Sequence, residues 1–429
     1  MKRILICSIS SWSSKSGSNT YSKLFERYEK SKIANLYIRE DNPDSSTCNL
    51  YFRISENSII KSIFNRSIKT GQKILLDQEK DKYDNSENIT ITKNRYQHFR
   101  KFRPYTLIIL REILWKIGKW KTKELDDFLD DFKPEIVLFA MEGYIHFDRI
   151  CRYIINRTGA KGIGYFWDDN FTYKNISWNP LRILYRLFQK NEIKKCVRCC
   201  KDFLAITNKT KKEAENTFGI HCHVITKPVK INNKTECGCK NISFPIKIVY
   251  TGNLIYGRFD TLLVLAETIN KLNSKSKNPY FVVDVYSGTE LSNKEQDLLK
   301  PYVIFKGFIS QNKIPEIFQT ADILLFIEAI KGRHSHDARL SFSTKICDYL
   351  EANKCILAIG PHDIAPIEYL RDEDAALVAT NTKELNIILN EVIKNNNLLN
   401  QYAENTKKLV LKNHIGSIIN EKLYKIINC

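Results

Sequence analysis

The chain has 429 residues, of which 43% are hydrophobic and 27% are charged, and its formal net charge is +19 at pH 7. This length and composition exclude a wholly disordered protein and leave room for two or three domains with buried cores. The large positive charge indicates an anionic partner, for which nucleic acid, an anionic membrane surface and a phosphorylated small molecule are the candidates.

The N-terminus lacks the pattern of a signal peptide, because the first apolar run stops at Ser8. No uninterrupted apolar stretch approaches the roughly 20 residues that span a bilayer. The most apolar candidate, residues 105–120, contains charged side chains and is predicted as an amphipathic helix, packed on a domain or lying in a membrane interface. We predict a cytoplasmic protein and leave open its peripheral binding to the inner face of the cell membrane.

The cysteine pattern favours free thiols over metal ligands. Twelve cysteines in a chain without an export signal indicate a reducing compartment. One group has residue types that suit zinc, but its spacing matches no standard zinc finger. Its members are Cys196, Cys199, Cys200, His221, Cys222, His223, Cys237 and Cys239. We therefore predict no metal site.

The first half of the chain opens with a buried strand at residues 3–8, a loop of small residues at 13–19 and a helix at 20–28. This order is typical of nucleotide-binding α/β domains, although no GxGxxG motif is present. Residues 41–103 are polar and basic, and we predict one or two helices there and a mobile loop at 77–94. Strands and helices then alternate, which predicts a mostly parallel sheet. The predicted strands are 136–140, 161–167, 203–207 and 223–226, and the helices are 125–132, 146–158, 180–199 and 209–218.

A second α/β series follows a segment rich in Pro, Asn, Lys, Gly and Cys, which we predict as a linker. Its predicted strands are 246–250, 280–286, 303–305, 323–326 and 355–359, with helices at 259–272, 311–319 and 344–352. The predicted domains are 1–228, 246–395 and a helical tail at 396–429, with the linker at 229–245.

Ligands of open parallel sheets bind outside the carboxyl ends of the strands, and two such domains create a cleft. Four glycines fall at these ends in the second half, where they serve as turn residues or let a ligand approach the backbone. They are Gly252, Gly288, Gly307 and Gly360. Thr344 and Lys345 open a helix whose free N–H groups favour phosphate. Arg258 is a candidate clamp for a diphosphate, and Asp348 is either a surface aspartate or an acceptor for sugar hydroxyls.

The second half resembles the donor domain of the retaining GT-B glycosyltransferases, a large family that includes capsule, exopolysaccharide and O-antigen enzymes. The resemblance covers roughly residues 246–380. It rests on an ordered set of segments, YTGNL at 250–254, GRFDTLL at 257–263, KGFI at 306–309, IFQTADILL at 317–325, SFSTKICDYL at 341–350 and KCILAIGP at 354–361. It implies the α/β GT-B fold, in which two Rossmann-like domains face each other across a cleft.

Position by position, the resemblance implies a donor-binding set. The residues and their implied partners are Gly252 and Asn253 for the diphosphate, Gly307 and Phe308 for the base, Ser343, Thr344 and Lys345 for phosphate, and Asp348 for the ribose. Two positions depart from the family pattern. Leu340 stands where many members have a sugar-contacting Glu, and Tyr256 stands where a Lys is common, with Arg258 as a replacement for its charge.

The first half resembles the family only in its layout, and in the family this half binds the acceptor. The resemblance implies three candidates for catalysis, because they occupy the kind of place at strand ends where a catalytic or acceptor-binding acid or His sits. Asp168 follows one predicted strand, and Glu142 and His146 follow another. The alternative for each is a helix-capping or turn residue.

The resemblance implies a glycosyltransferase that moves a sugar from a nucleoside-diphosphate sugar to a glycan or lipid-linked acceptor in cell-surface polysaccharide biosynthesis. It also implies retention at the anomeric carbon. No convincing Asp-x-Asp motif appears, so we expect activity without metal or cofactor. A nucleotide-sugar epimerase and a non-catalytic nucleotide-sugar-binding module of the same fold stay open as alternatives. Nucleic acid is disfavoured as a partner, because the aromatic residues lie mostly in predicted strands, and an anionic membrane is favoured.

Overall fold

The computed structural model describes residues 1–12, 20–76, 105–172, 179–229 and 243–428. Two compact units are present, one formed by Met1–Ile225 with Lys422–Cys429 and the other by Thr226–Glu421. The predicted mobile loop at 77–94, the loop at 13–19 and most of the predicted linker lie outside the described residues, as do Cys237 and Cys239.

The first unit alternates strands and helices over its described residues. The strands are β1 (Ile4–Ser8), β2 (Ile33–Tyr37), β3 (Leu50–Ile54), β4 (Gly71–Leu75), β5 (Ile136–Ala140), β6 (Lys161–Phe166), β7 (Cys200–Ala205) and β8 (Cys222–Val224). The helices are α1 (Thr20–Leu24), α2 (Glu56–Phe64), α3 (Tyr105–Ile117), α4 (Lys123–Phe132), α5 (Ile145–Thr158), α6 (Pro180–Cys199) and α7 (Asn208–Phe218).

The strands of this unit form one sheet, in the order β4-β3-β2-β1-β5-β6-β7-β8 among the described residues. All pairs are parallel except β3 with the edge strand β4. Strands β1 and β5 are buried along their whole length, as expected for a parallel sheet covered on both faces. The chain order reverses between β1 and β5, which therefore mark the topological switch point.

The structure corrects two local predictions in the first unit. The helix predicted at 20–28 ends at Leu24, and in the turns that follow, Phe25 and Tyr28 pack against Tyr424. The segment from 41 to 76, predicted without strands, contains β3 and β4. Strand β4 is an edge strand with exposed residues, so its sequence lacks the apolar run by which buried strands are found.

The second unit repeats the alternation. Its strands are β9 (Ile246–Thr251), β10 (Phe281–Tyr286), β11 (Val303–Gly307), β12 (Ile323–Ile327), β13 (Cys355–Ile359) and β14 (Leu377–Ala379). Its helices are α8 (Arg258–Asn273), α9 (Asn293–Leu299), α10 (Ile314–Gln319), α11 (Thr344–Ala352), α12 (Ala365–Asp372), α13 (Thr382–Lys394) and α14 (Leu398–Leu409). The last helix, α15 (Gly416–Asn428), begins in this unit and ends in the first.

The six strands of the second unit are all parallel, in the order β11-β10-β9-β12-β13-β14. Side chains of β9, β12 and β13 pack with the inner face of α8 in one apolar core, which includes Ile248, Leu325, Leu357 and Leu265. The switch point lies between β9 and β12. The predicted α/β class with two mostly parallel sheets is confirmed. No helix among the described residues is long and apolar enough to cross a membrane.

Candidate functional site

The second unit gathers most of the predicted donor-binding residues at the carboxyl ends of its strands. Gly252 and Asn253 directly follow β9, and Glu328 directly follows the neighbouring β12. Lys345 lies in the first turn of α11, which the chain enters after β12. The sheet topology therefore places these residues at the switch point, where open α/β sheets bind their ligands.

Lys345 lies directly above the backbone of Gly252. A Cβ atom on Gly252 would collide with the Lys345 Nζ, and the φ of +142° at this glycine is one that other residues rarely adopt. The Nζ also lies 4.9 Å from the centroid of the Tyr250 ring and 3.4 Å from its hydroxyl. The positive φ is what favours glycine here, and a side chain at this position would also displace the flexible end of Lys345.

The environment of Lys345 disfavours its charge. Burial and, second, the positive charge of Arg258 together lower the pKa of Lys345 to about 8, against the opposing effects of Glu328 and Asp348. A buried ammonium group with few compensating anions favours an anionic ligand, because the ligand restores the charge balance lost on desolvation.

Arg258 is held by a carboxylate that sequence reasoning did not single out. Its Nε and Nη2 atoms donate to the two carboxylate oxygens of Glu328 at 3.0 and 2.8 Å, and both side chains are largely buried. Its Nη1 donates to the Asn253 Oδ1 at 2.6 Å. The guanidinium is thus fixed by a bidentate pair within the site. Its predicted role as a clamp on a diphosphate stays a prediction.

The N-terminus of α11 has the features predicted for an anion site. Ser343 is the N-cap, its side chain accepts no hydrogen bond from the helix, and the first turn contains no acidic residue. The first N–H groups of the helix and its dipole therefore favour negative charge at this end. Thr344 and Lys345 occupy this turn, as the sequence predicts.

Asp348 lies one turn further along α11 and pairs with a buried lysine. The Lys227 Nζ donates to the Asp348 Oδ1 at 3.1 Å, and the lysine side chain is only 3% exposed. The predicted ribose contact of Asp348 is untested. The salt bridge fixes the carboxylate at the same helix end as Lys345.

Gly307 and Phe308 follow β11, two strands away from β9. Gly307 has a φ of +76° and no atom within 4 Å of where a Cβ would stand, and Phe308 is 79% exposed. The Phe308 ring lies beside Gly288 at the end of β10, where a Cβ would be 3.4 Å from its Cδ2. The structure thus presents an exposed aromatic ring at the same sheet edge as the Lys345 site.

The position where the family has a sugar-contacting Glu is part of the hydrophobic interior. Leu340 is fully buried. The side chain that departs from the family pattern is thus a core residue in this protein. A charged residue at this position would be costly to bury without a partner.

In the first unit, the structure brings two of the three catalytic candidates together. Glu142 follows β5 at the switch point of that sheet, and burial and the Asp168 carboxylate raise its pKa to about 7, against the opposing effect of Arg39. Asp168 is exposed, and its Oδ1 accepts a hydrogen bond from the Asp169 backbone N–H at 3.0 Å. A carboxyl group with a pKa near neutrality suits general acid or base catalysis.

His146 is in a different environment, buried against α3. Its backbone N–H donates to the Glu112 Oε2 at 2.8 Å, and its Nδ1 lies 3.0 Å from the Glu112 Oε1. Its ring stacks on Trp115 at a centroid distance of 4.6 Å, and burial lowers its pKa. This arrangement joins α3 to α5, so its geometry is that of a structural contact, and the catalytic role predicted for it stays untested.

The described His, Cys, Asp and Glu residues form no group of three or more that could hold a metal ion, and the predicted absence of a zinc site stays a prediction. Cys196 and Cys222 are buried, and Cys199 and Cys200 are partly buried. His221 and His223 lie next to each other, with ring centroids 5.0 Å apart. Two members of the sequence group, Cys237 and Cys239, lie outside the described residues.

Three charged residues at these sites were missed by sequence reasoning. Glu328 directly follows β12 and Arg39 comes shortly after β2, so a systematic search of charged residues at strand ends would have found them. Lys227 precedes Pro228 in a segment that predicts only irregular structure. Its pairing with Asp348 is long-range, and no local pattern indicates it.

No family model and no curated protein matches the chain. Solved structures are similar over the whole chain. HepE from Anabaena, solved with UDP and glucose, has 11% sequence identity, covers 100% of both chains and gives a TM-score of 0.60. Sucrose-phosphate synthase from Thermosynechococcus elongatus has 9% sequence identity and a TM-score of 0.62. The match covers 100% of this chain and 98% of the synthase. WaaG, a glycosyltransferase involved in lipopolysaccharide biosynthesis, has 11% sequence identity and a TM-score of 0.54, and the match covers 99% of both chains. With its two parallel-sheet units, this chain therefore has the fold of the GT-B glycosyltransferases.

Proposed function

We propose that this protein is a glycosyltransferase that takes a sugar from a nucleoside-diphosphate sugar. The observation that carries the proposal is the position of Lys345, whose ammonium group lies above Gly252 at the N-terminus of α11 and at the switch point of the sheet. This is a site built for a phosphate-containing ligand. Similar structures were solved with UDP or UDP-glucose, which supports the same ligand class here.

The chemistry of the leaving group explains why a fixed cation is useful. When the glycosidic bond breaks, negative charge develops on the oxygen of the nucleoside diphosphate that bonded the sugar. Lys345 and the N–H groups at the start of α11 would stabilise this charge without rearranging, which is the basis of electrostatic catalysis. We propose that they do so without a metal ion, and that the sugar is transferred with retention.

The acceptor proposed is a glycan or a lipid-linked sugar of cell-surface polysaccharide biosynthesis, encountered at the cytoplasmic face of the membrane. Glu142 is the best candidate for moving the acceptor proton, because its pKa of about 7 lets both protonation states exist near neutral pH. Asp168 supports this role through its charge, which helps to raise that pKa. The likeness to WaaG, which is involved in lipopolysaccharide biosynthesis, favours this acceptor class.

A non-catalytic nucleotide-sugar-binding module is the second candidate function. The observation that favours it is Leu340, a fully buried residue at the position of the family's sugar-contacting Glu. Such a module would bind the nucleotide sugar through Lys345 but would release no nucleoside diphosphate in the presence of any acceptor.

The first experiment is thermal stabilisation of the full chain by UDP-, GDP- and ADP-sugars, with and without EDTA. A ligand that binds the native state raises the melting temperature as its concentration exceeds its dissociation constant. We expect a shift with one nucleotide class, unchanged by EDTA and lost in Lys345→Ala. The matched control is Lys383→Ala, an exposed lysine at the start of α13.

Release of nucleoside diphosphate then separates the two candidate functions. Transfer predicts acceptor-dependent release with membrane extracts, whereas binding without release supports the module. The absence of any thermal shift in folded protein would contradict both.

A further inference from the structure

Helix α3 in the first unit is turned with its polar side inward. Glu112 is buried, accepts a hydrogen bond from the backbone N–H of His146 and lies 3.0 Å from the Nδ1 of the same residue. Arg111 and the indole N–H of the buried Trp115 both donate to the Glu56 carboxylate, at 2.7 and 3.1 Å. The polar groups of this helix are therefore used to attach it to the rest of the unit.

The opposite side of α3 is apolar and exposed. It presents four aliphatic side chains with exposures between 49% and 56%, Leu107, Leu110, Ile113 and Ile117. Their spacing of three or four residues places them on one side of the helix. A surface helix of a globular protein has the reverse arrangement, with apolar residues inward and polar residues in water.

Helix α6 is also apolar on its exposed side, and its buried side is mixed, since Tyr185, Ile193 and Cys196 are buried beside polar residues. Its buried residues include Gln189, which donates to the Gly143 carbonyl at 2.7 Å, and Glu192, which accepts from Arg152 at 2.6 Å. Its exposed residues include five large apolar side chains with exposures between 37% and 57%, Leu181, Ile183, Leu184, Leu187 and Phe188. Glu192 is joined to α5, so polar contacts attach this helix as well.

The two helices are neighbours. The rings of Tyr105 in α3 and Tyr185 in α6 lie 6.3 Å apart, and the Tyr185 hydroxyl donates to Glu112 at 3.4 Å. The nine exposed apolar residues of α3 and α6 therefore belong to one region, called here the α3/α6 surface. Exposed apolar patches of this kind mark interaction sites.

The charges of the two helices select the partner. Each helix contains a single carboxylate, Glu112 or Glu192, and both are buried. Their lysines and arginines are more numerous, and Lys116, Lys194 and Arg198 are exposed. Apolar side chains flanked by cations and free of exposed anions fit a layer of acyl chains beneath anionic headgroups. A second copy of the same surface would bring cations against cations.

We propose that the α3/α6 surface docks on an anionic lipid bilayer, with its apolar side chains in the interface and its lysines and arginines at the headgroups. This proposal deepens the proposed function and rests on it, because a lipid-linked acceptor would be reached at the bilayer. Docking itself is measured without donor or acceptor. A failure to bind vesicles would thus leave nucleotide-sugar binding untouched, and the reverse also holds.

The test is co-sedimentation of the full chain with vesicles of phosphatidylcholine alone or mixed with phosphatidylglycerol. The triple variant Leu110→Gln, Leu187→Gln and Phe188→Gln is compared with a matched triple variant of exposed apolar residues in the second unit, Ile387→Gln, Leu411→Gln and Ile418→Gln. Because all six side chains are exposed, both variants should fold, and circular dichroism with thermal melting verifies this without any ligand. A third variant, Lys116→Gln with Lys194→Gln, tests the charges.

We expect the wild type to bind the anionic vesicles, and less so at high salt, because exposed charges are screened. The α3/α6 triple variant should lower the partition coefficient at least about tenfold, since burying even one leucine side chain is worth that factor. The control triple variant should bind like the wild type, and the charge variant should lose its preference for phosphatidylglycerol. No binding by the wild type, or equal binding by the two triple variants, would overturn the proposal. A second result would also overturn it: a wild type that is a dimer, together with an α3/α6 triple variant that is a monomer and still binds vesicles like the wild type.

Discussion

Lys345 holds a positive charge in a position where burial makes that charge costly. Its pKa of about 8 lies below the ordinary value of 10.5, so the charge is present at neutral pH and lost in mildly alkaline solution. If Lys345 binds the diphosphate as proposed, the ligand interacts more strongly with the ammonium form than with the neutral amine and raises the pKa of Lys345. Ligand affinity and the charge of this one side chain are therefore linked.

The first prediction follows from this linkage. The affinity of the wild type for its nucleoside diphosphate should fall as the pH rises through about 8, because the site then loses its ammonium group. Lys345→Gln should bind more weakly near neutral pH and show no such fall. Isothermal titration calorimetry across this range measures both, and parallel pH profiles for the two proteins would refute the assignment.

The stability of the free protein should change in the opposite sense. Between the folded pKa of about 8 and the ordinary 10.5, the unfolded chain binds more protons at Lys345 than the folded one, so stability conferred by this group rises with pH.

Gly252 is the second residue whose replacement has a defined consequence. In Gly252→Ala the new methyl group would collide with the Lys345 ammonium, and the backbone would be strained at a φ of +142°. We expect a loss of about 1–3 kcal/mol in the free energy of unfolding and no thermal shift with nucleotide sugars. Urea unfolding and thermal melting measure these two effects.

The control for this change is Gly219→Ala, at a φ of +66° with no atom within 4 Å of the new Cβ. It should lose about 1–2 kcal/mol from backbone strain alone and keep its ligand response. If both variants keep that response, Gly252 has no part in seating Lys345 for binding.

Glu142 should change the stability of the protein with pH in the opposite direction to Lys345. Its folded pKa of about 7 lies above the ordinary 4.5, so the folded protein binds the proton more tightly than the unfolded chain. Stability from this group is present at low pH and is lost as the pH rises from about 4.5 to 7, by on the order of 2 kcal/mol. Glu142→Gln removes this dependence, and its stability relative to the wild type should increase over that range.

The measurement is hydrogen exchange of the β5 amides at several pH values, which reports on the unit that contains Glu142. Asp168→Asn should lower the pKa of Glu142 and shift the same window to lower pH. If the three proteins show the same pH dependence, Glu142 titrates normally. Loss of glycosyl transfer in Glu142→Gln with retained donor binding would support its role in catalysis.

At the scale of elements, α3 is attached by the hydrogen bonds of its polar side. Glu112→Ala should leave the buried backbone N–H of His146 without its acceptor, which costs about 1–3 kcal/mol. Lys116→Ala, on the exposed side of the same helix, should have a negligible effect. Urea denaturation compares the two, and similar stabilities would show that α3 is held by other contacts.

At the scale of the whole molecule, the last residues of the chain complete the first unit. The Lys2 and Lys161 ammonium groups donate to backbone carbonyls of Ile427 and Ile426 at 3.2 Å each, and Ile427 is fully buried. Ile427→Ala should therefore destabilise the first unit by about 2–4 kcal/mol through the cavity it leaves.

Hydrogen exchange distinguishes the units in this experiment. Amides of β1 and β5 should lose protection in Ile427→Ala, while those of β9 and β12 should keep it. The control is Ile418→Ala in the same helix, where the side chain is 56% exposed and no loss is expected. Loss of protection confined to β9 and β12 would contradict the assignment of residues 422–429 to the first unit.

The sequence by itself determined the α/β class, the alternation of strands and helices and most strand positions, because buried parallel strands such as 136–140 and 355–359 are uninterrupted apolar runs. It also determined the glycine at 252 and the lysine at 345 as candidate site residues, since strand ends and helix starts are local features.

Only the tertiary structure decided which of these groups meet. The Lys345 ammonium over Gly252, the pair of Arg258 with Glu328 and the pair of Asp348 with Lys227 join residues from 70 to 121 positions apart. The exposed apolar faces of α3 and α6 are another such result, because periodicity shows that a helix has two sides but not which side faces the protein. The physical reason is that long-range packing sets the burial of each side chain, and burial in turn sets its charge and its exposure.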